Sequence, residues 1–371
     1  MLRVGLVGLP GAGKSTVFDA LVRTSGSHEQ AGRTYAGLTP RVAIVKVPDS
    51  RLAVLAEMYR PRKVTPAEVE YNDVPRIAER GDGKADASGR QAPAYLAQLR
   101  NMDALLHVVA GFGADDLAAL PAAMVARLQE GATELALADL LVVEGRLARL
   151  DSEIRKLPGP ERALREREQA ALQQIHAQLD AGGVVRDLTL SAEDERLLRG
   201  FGFLTAKPTL IVANLDEPSW PHREEIERAL AAAQPHAATG VVSLLAQWEA
   251  ELADLDPEEA DVFRDSLGLT EPAAERVLAE MYAVSHLISF LTAGEDEVRA
   301  WPVPRGTLAP EAAGTIHSDF QKAFIRAEIV SYDDLVRLKS WAAARSAGAL
   351  RQVGKDYAMQ DGDVAHFLAG R

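Results

Sequence analysis

A glycine-rich segment between a short apolar strand and a helix constrains the fold of this chain more than any other feature. Residues 8–15 have the sequence GLPGAGKS, which fits the spacing G-x-x-x-x-G-K-[ST]. The apolar segment 3–7 precedes it and an amphipathic helix follows from Thr16, as that motif requires. Glycines let successive backbone N–H groups turn toward a phosphate chain, and the positive end of the helix adds to the attraction. The segment therefore predicts a phosphate-binding loop (P-loop) within an α/β domain.

The residue types in this loop predict its contacts. We expect Lys14 to reach the β- and γ-phosphates of a nucleotide, and the Ser15 hydroxyl to bind Mg²⁺. Lys14 is accordingly the predicted catalytic residue. The predicted nucleotide-binding residues of the loop are Gly8, Pro10, Gly11, Ala12, Gly13, Lys14, Ser15 and Thr16.

Further short apolar segments have the composition of buried strands. They lie at residues 41–47, 67–73, 104–110, 208–213 and 240–245. Because helical stretches separate them, they predict an α/β domain with a largely parallel sheet. Asp73 ends the second of these segments, and a carboxylate there in a P-loop domain holds Mg²⁺, usually through water. Ser15 and Asp73 are therefore the predicted metal ligands.

Residues 119–200 differ from this pattern, because they are rich in Ala, Leu, Glu and Arg and poor in strand-forming residues. Apolar residues recur at spacings of three and four in two series, namely Leu147, Leu150, Ile154 and Leu157, then Leu172, Ile175 and Leu179. The sequence Pro158-Gly159-Pro160 separates the two series. This arrangement predicts two antiparallel helices that form a hairpin. Strand patterns resume at residue 208, so the hairpin is interpreted as an insertion in the α/β domain.

From about Ser289 the chain alternates between short strand-like segments and turns, which predicts a small α+β module. The expected elements are strands at 297–303, 324–330 and 363–367 and a helix over 311–324. The predicted domains are the first part of the P-loop domain at 1–118, the helical hairpin at 119–202, the second part of the P-loop domain at 203–282, and the C-terminal module at 283–371.

Composition excludes several classes of function. The 41 basic and 54 acidic residues leave a net charge of −13, which argues against a protein that coats nucleic acid by charge alone. The absence of Cys excludes disulfides, thiolate catalysis and Cys-ligated metal sites. No metal-ligand cluster is expected beyond the nucleotide Mg²⁺. No secretory leader or membrane-spanning run is evident, so a cytoplasmic location without membrane contact is expected.

The segment Asn214-Leu215-Asp216-Glu217 follows the strand at 208–213, where P-loop GTPases carry a base-binding loop of pattern Asn-Lys-x-Asp. The Asp of that pattern accepts two hydrogen bonds from guanine, which adenine does not offer. Here the fourth residue is Glu217 and the Lys position is Leu215, so we expect weak specificity for guanine. Asn214, Leu215 and Glu217 are the predicted contacts to the base. An alternative is a GTPase that uses the adjacent Asp216, if the loop is shifted by one residue.

With these residues in view, the chain resembles the YchF/Obg-like ATPase family, whose nucleotide motif is Asn-x-x-Glu. The resemblance runs through GLPGAGKST, KVTPAEVEYND and PTLIVANLDE, and is strongest in FLTAGEDEVRAWPV and GKDYAMQDGDVAHF near the C-terminus. It implies a P-loop domain with an inserted helical hairpin and a C-terminal β-grasp module of the TGS type. It also implies ATP binding, slow Mg²⁺-dependent hydrolysis, and association with the ribosome in translation or stress response, with contact to RNA left open.

Departures from the family pattern favour a second interpretation. Arg76 stands where the family has a glycine whose N–H bonds the γ-phosphate, and Gly37 stands at the family's switch-loop Thr. Thr39 lies two residues on and is a candidate substitute for that Thr. Ile77 is not a departure, because the family also has a hydrophobic residue where Ras-like enzymes have a water-orienting Gln. These changes leave open a hydrolysis-deficient protein that binds nucleotide and docks on the ribosome or its RNA.

Other polar residues are interpreted as structural. His107 lies in an apolar strand and is expected in the core. His317 and Asp319 match family positions and are expected to be structural. Residues 60–63, with the sequence Arg-Pro-Arg-Lys, are expected to form a solvated loop of the switch region.

Overall fold

The computed structural model describes residues 1–27, 29–31, 39–75, 94–269 and 271–370. Thirteen strands occur in these residues: β1 Leu2–Val7, β2 Glu29–Ala31, β3 Arg41–Lys46, β4 Lys63–Thr65, β5 Glu68–Asp73, β6 Ala104–Gly111, β7 Thr209–Leu215, β8 Thr239–Leu244, β9 Leu287–Ala293, β10 Glu297–Pro304, β11 Phe324–Ser331, β12 Arg351–Val353 and β13 Asp363–Ala369.

The same residues contain fourteen α-helices. In chain order they are α1 Lys14–Thr24, α2 Ser50–Tyr59, α3 Ala94–Leu99, α4 Leu120–Ile154, α5 Gly159–Asp180, α6 Ala192–Leu198, α7 Arg223–Ala233, α8 Ala246–Leu252, α9 Pro257–Ser266, α10 Ala273–Val284, α11 Ala309–Ile316, α12 Ser318–Lys322, α13 Tyr332–Leu338 and α14 Trp341–Ser346.

The chain divides into two compact units. One contains Leu2–Ile44 and Glu70–Val284, and the other contains Val45–Val69 and Ser285–Arg371, together with Met1. The helical pair α4 and α5 belongs to the first unit. Residues 45–69, expected in the first part of the P-loop domain, cluster instead with the C-terminal segment, because β4 lies in the C-terminal sheet.

The first unit is built on a seven-stranded sheet of order β2-β3-β5-β1-β6-β7-β8. β1, β6, β7 and β8 pair in parallel, whereas β2 pairs antiparallel with β3 at one edge. All seven residues of β7 are buried, as expected of a strand covered on both faces. The sheet confirms the predicted P-loop α/β fold, and β2 is the strand that the sequence pattern did not predict.

The predicted helical hairpin is also present. α4 runs for 35 residues and α5 for 22, and the predicted apolar series pack together in one core. Leu157 is the exception, because α4 ends at Ile154 and Leu157 lies in the connection. The buried carboxylate of Glu168 on α5 accepts two hydrogen bonds from Arg146 on α4, at 2.7 and 3.1 Å, so an ion pair reinforces the apolar seam.

The second unit contains a six-stranded mixed sheet of order β12-β11-β13-β9-β10-β4. β9 pairs in parallel with β13 and antiparallel with β10, and β4 pairs in parallel with β10. The unit confirms the predicted C-terminal sheet module. Residues 60–62 lie in a largely exposed loop, as expected, but Lys63 begins β4.

The helix expected over 311–324 is two helices. The chain is extended at His317, with φ −160° and ψ 138°, and this residue separates α11 from α12. The Nδ1 atom of His317 accepts a hydrogen bond of 3.2 Å from the backbone N–H of Asp319. His317 therefore caps α12, a structural use of the side chain.

Candidate functional site

The predicted site residues gather at the carboxyl edge of the parallel sheet in the first unit. The P-loop follows β1, a short loop follows β6, and the segment 214–217 closes β7. These three strands are neighbours in the order β1-β6-β7, so their carboxyl ends lie side by side. This edge is the usual ligand-binding position of open α/β sheets.

Two glycines set the path of the P-loop. Gly8 has φ 144° and Gly13 has φ 84°, both in the region that side chains disfavour. A Cβ atom on Gly8 would lie 2.3 Å from the carbonyl oxygen of Val108, and one on Gly13 would lie 2.2 Å from the Nδ2 atom of Asn214. Both positions therefore require glycine for backbone conformation and for space.

The loop leads directly into α1, which begins at Lys14. No side chain caps this helix at its N-terminus and no acidic residue lies in its first turn, so the helix end favours an anion. The ammonium group of Lys14 donates hydrogen bonds to the carbonyls of Gly8 and Leu9, at 3.1 and 3.0 Å. Its charge is thereby held over the curve of the loop.

The remaining P-loop residues differ in exposure. Pro10 and Gly11 are exposed at the outer bend, Ala12 is buried beneath it, and Thr16 is half-buried in the first turn of α1. The outer bend is thus open on the side where a phosphate chain would lie.

Ser15 and Asp73 meet although 58 residues separate them. The hydroxyl of Ser15 donates a hydrogen bond of 2.8 Å to Oδ2 of Asp73, which is buried at the end of β5. Nη1 of Arg41 lies 3.8 Å from the same oxygen, and the Arg41 guanidinium also pairs with Asp19 on α1 at 2.5 Å. The two predicted metal ligands are therefore adjacent.

The donor set of this pair fits Mg²⁺. Both groups are oxygen donors, and Mg²⁺ normally takes one or two protein oxygens and completes its shell with phosphate and water. No group of three or more His, Asp and Glu side chains suited to a metal occurs in the described part of the chain. The pair thus suits a metal ion that arrives with a phosphate, and not a metal held by protein ligands alone.

Asn214 supports the P-loop from the neighbouring strand. Its Nδ2 atom donates a hydrogen bond of 3.2 Å to the carbonyl of Ala12, and the side chain is buried. Asn214 precedes the last residue of β7, and its register with Ala110 on β6 brings it to the level of the loop. The side chain is therefore engaged in holding the loop that would hold the phosphates.

The three residues after Asn214 have different environments. Leu215 is buried in the apolar core, where it packs on Gly111, so that its backbone is the part left for a ligand. Glu217 is exposed, and its carboxylate has no hydrogen-bond partner among the described residues. Of the predicted base contacts, Glu217 is the one whose side chain is free to meet a ligand.

Asp216 connects two loops. Its Oδ2 accepts a hydrogen bond of 2.7 Å from the N–H of Gly113, and its Oδ1 accepts bonds from the hydroxyl and N–H of Ser219, at 2.6 and 3.1 Å. Partial burial raises the pKa of Asp216, but these hydrogen bonds outweigh the burial and hold the pKa below its ordinary value. The carboxylate is therefore ionised and already occupied.

Two residues of this region were missed by reasoning from sequence. Phe112 follows β6, is 39% exposed, and would lie 3.5 Å from a Cβ atom on Gly13, so its ring borders the P-loop. Arg41, beside Asp73, lies in a segment that predicted only a strand. An exposed aromatic residue directly after a buried strand was the available signal for Phe112, whereas no local signal marks Arg41.

His107 is buried in β6, as predicted. It lines a cavity of about 30 Å³ together with Arg186 and Thr205, and a Cβ atom on Gly131 of α4 would lie 2.6 Å from its Nε2. Burial, together with the charges of Lys14 and Arg186, lowers the pKa of His107 to about 4. The imidazole is therefore neutral at pH 7, in a cavity large enough for a water molecule.

Gly37 and Arg76, which depart from the family pattern, lie outside the described residues, and so does Ile77, which fits it. Thr39 is described and is exposed two residues before β3 begins. In the described part of the chain no helix is both long enough and apolar enough to span a membrane.

Comparison with known proteins agrees with this architecture. A family model named YchF-GTPase_C, described as a protein of unknown function, matches residues 287–370. A second model, MMR_HSR1, described as a 50S ribosome-binding GTPase, matches residues 3–143. The structure of the Schizosaccharomyces pombe YchF GTPase matches with a TM-score of 0.78 and 29% identity, and the match covers 99% of this chain and 97% of that one.

Relatives of similar length match over nearly the whole chain. The ribosome-binding ATPase YchF of Escherichia coli O157:H7 is 38% identical over 371 residues, which cover 99% of this chain and 98% of the relative. The protein of that name from Bacillus subtilis (strain 168) is 35% identical, with coverage of 99% and 98%. The Obg-like ATPase 1 of Oryza sativa subsp. japonica is 32% identical, with coverage of 99% and 91%. Matches of this identity and extent show that the chain belongs to the YchF family.

Proposed function

We propose that the protein binds ATP and hydrolyses it slowly with Mg²⁺, and that the nucleotide state switches its association with the ribosome. The observation that carries the proposal is the adjacency of Ser15 and Asp73 at the start of α1, at 2.8 Å. A hydroxyl and a carboxylate placed beside a P-loop supply the one or two protein oxygen donors that a nucleotide-bound Mg²⁺ takes.

The chain supplies binding and electrostatic groups to this chemistry. The uncapped N-terminal end of α1 attracts the phosphates, and Lys14 places a positive charge beside them. Ser15 and Asp73 would hold Mg²⁺, and the bound ion would supply positive charge against the phosphates. Such an arrangement lowers a barrier by stabilising charge, and no described side chain is assigned the task of orienting water.

A preference for ATP over GTP follows from the loop after β7. Asp216 is next in sequence to the position that reads guanine in GTPases. Its carboxylate already accepts hydrogen bonds from Gly113 and Ser219, so it is not free to bind a base. Glu217 is available but is one methylene longer than the aspartate of guanine-specific loops. The loop thus offers guanine no free aspartate, and the preference for ATP is inferred from this loss together with the ATPase names of the relatives.

The ribosome enters the proposal through the relatives. Those from bacteria bear the name ribosome-binding ATPase, and the matching model for residues 3–143 is described as a 50S ribosome-binding GTPase. A cytoplasmic location accords with that partner.

The test is calorimetric titration of the isolated protein with ATP and with GTP in the presence of Mg²⁺. We expect ATP to bind at least several-fold more tightly, and equal or reversed affinities would refute the assignment of the base loop. Lys14→Ala should abolish turnover or weaken ATP binding, and Lys46→Ala, an exposed lysine on β3, serves as the control. Unchanged hydrolysis in Lys14→Ala would remove the P-loop from the proposal.

A second candidate is a binding protein without hydrolysis, which the sequence Asp73-Val74-Pro75-Arg76 favours. Proline and arginine there restrict a segment in which the family has a flexible glycine. Turnover measured with and without ribosomes separates the candidates. Brisk hydrolysis by the wild type excludes the second one, whereas absent hydrolysis that Arg76→Gly restores supports it.

A further inference from the structure

Helix α9 in the first unit presents apolar side chains to solvent. Val262 is 70% exposed, Phe263 on the same helix is 47% exposed, and Leu255, just before the helix, is 40% exposed. Scattered single exposures of this kind are ordinary, but three large apolar residues within nine positions form a patch. We refer to Leu255, Val262 and Phe263 with the acidic residues around them as the α9 outer face.

The exposure of these residues does not mean that α9 lacks packing, because another side of the helix packs against the unit. Ala260 is buried, Arg264 is largely buried, and Leu267 packs against the core of the unit. These residues are four and three positions apart, so they lie on one face of the helix. The carbonyl of Leu267 also accepts a hydrogen bond of 3.0 Å from the indole of Trp220. The helix is therefore seated by this face. At about 100° per residue Val262 points to the opposite side, whereas Phe263 lies at the edge of the packed face and remains 47% exposed.

The surroundings of the patch are strongly acidic. Residues 251–269 contain seven acidic residues and a single basic one, Arg264. All seven carboxylates belong to exposed residues, whereas the side chain of Arg264 is only 14% exposed. Asp254 is paired with Arg23 and Asp261 with Arg264, so five of the seven acidic residues make no ion pair with the described part of the chain. A local charge of −6 thus surrounds three exposed apolar side chains.

We propose that the α9 outer face docks a basic polypeptide segment that carries apolar side chains. Carboxylates around the patch attract lysine and arginine, and Val262 and Phe263 give apolar contacts that charge alone does not supply. RNA is disfavoured, because its phosphates are repelled by the same carboxylates. A second copy of the chain is disfavoured as well, because each copy carries a net charge of −13.

The proposal is independent of ATP hydrolysis, so it is tested with defined probes on the full chain. The first probe is a helical 14-residue peptide with lysine on one face and leucine on the other. The second is a peptide with the same lysines in which glycine and serine replace the leucines. The third is a single-stranded RNA oligonucleotide of similar length.

The decisive variant is Val262→Ser/Phe263→Ser, which removes apolar surface and leaves every charge in place. The matched control is Leu137→Ser/Leu141→Ser, which removes two exposed leucines from α4, at 55% and 40% exposure. A second variant, Glu258→Gln/Glu259→Gln/Asp265→Asn, removes charge and leaves the apolar side chains. ATP binding and the midpoint of urea unfolding are measured for all of them as a check on folding.

We expect the wild type to bind the lysine–leucine peptide at least fivefold more tightly than the lysine-only peptide. The Val262→Ser/Phe263→Ser variant should bind the first peptide about tenfold more weakly, a loss of about 1.4 kcal/mol. The charge variant should also weaken binding, whereas the α4 control should change it less than twofold.

Four outcomes would overturn the proposal. The first is that the wild type binds no peptide up to about 0.1 mM, a concentration at which weak interfaces are detected. The second is that the apolar variant binds the lysine–leucine peptide as tightly as the wild type, and the third is that the α4 control loses as much peptide affinity as the apolar variant. The fourth is that the apolar variant loses affinity for the RNA oligonucleotide and keeps its affinity for the peptide. If the apolar variant fails to fold, the charge variant decides, because unchanged peptide affinity in it contradicts the proposal.

Discussion

The side-chain nitrogen of Asn214 lies so close to Gly13 that a Cβ atom on Gly13 would approach it to 2.2 Å. These residues are 201 positions apart, and the contact joins the P-loop to the strand that carries the base loop. Asn214 also donates to the carbonyl of Ala12, so one buried amide bonds to one residue of the phosphate-binding loop and packs closely on the next.

Gly13→Ala should therefore destabilise the nucleotide-free protein more than Gly11→Ala. Both glycines have positive φ, 84° and 76°, so each substitution carries a backbone cost of about 1–2 kcal/mol. Only Gly13 has a neighbour within 4 Å of the added Cβ, so its replacement must also displace Asn214. Urea unfolding of the two variants measures the difference.

The same contact predicts coupling between the two residues. In an Asn214→Ala background the additional cost of Gly13→Ala should fall by about 1 kcal/mol, because the displaced amide is gone. Equal costs for Gly13→Ala with and without Asn214 would show that the close approach has no energetic consequence.

Asp73→Asn should weaken the contribution of Mg²⁺ to nucleotide binding. The amide keeps the size of the side chain and can still bond to Ser15, but it loses the negative charge that favours a hydrated cation. We expect the Mg²⁺ concentration for half-maximal effect on ATP affinity to rise at least tenfold, with affinity in EDTA changed less than threefold. Titration of ATP affinity against Mg²⁺ measures both.

Ser15→Ala is expected to behave like Asp73→Asn, since it removes the other oxygen donor. Ser25→Ala is the control, because Ser25 lies just beyond the far end of α1 and its hydroxyl bonds to Val22. If both site variants retain the wild-type dependence on Mg²⁺, the pair does not serve the metal.

Asp216→Ala should weaken ATP and GTP binding by the same factor. The substitution removes the hydrogen bonds that connect Gly113 and Ser219, so the loops beside the site lose their mutual support. The expected loss of stability is about 1–3 kcal/mol, because several charge-assisted bonds break together. Calorimetry with both nucleotides is the measurement. A selective loss of GTP affinity would instead identify Asp216 as a reader of guanine.

Stability should fall in mild acid because of His107. The native pKa of about 4 lies below the ordinary value of 6.5, so between these values the unfolded chain binds more protons than the folded one. The contribution of the neutral His107 to the free energy of unfolding is therefore fully present above pH 6.5 and is lost as the pH falls toward 4. The expected loss between pH 7 and pH 5 is about 2 kcal/mol. Urea unfolding at several pH values measures this loss.

A variant that cannot be protonated isolates the effect of His107. His107→Asn should reduce the dependence of stability on pH in this window, whatever its stability at pH 7. His366→Asn, at an exposed histidine on β13, is the control. An unaltered pH dependence in His107→Asn would assign the acid sensitivity to other groups.

The local patterns were the reliable part of the sequence. The P-loop spacing, the strands β1, β3, β5, β6, β7 and β8, and the apolar series of α4 and α5 were all predicted within a few residues. Each depends on a period of two or 3.6 residues, or on glycine and proline at a turn, and such signals act between neighbours in the chain. The break at His317 was missed, because a single extended residue interrupts the helical pattern without changing its composition.

Contacts between distant residues were decided by the tertiary structure. Only the order of strands places Ser15 against Asp73 and Asn214 against Gly13, and only pairing with β10 moves β4 into the C-terminal sheet. The hydrogen bond from Gly113 to Asp216 likewise depends on tertiary packing. So does the exposure of Val262 and Phe263. The sequence by itself determined which chemistry the chain carries and the kind of element that carries each group. Which of those groups meet was determined by the packing of the whole fold, because burial and strand pairing are properties of residues far apart in the chain.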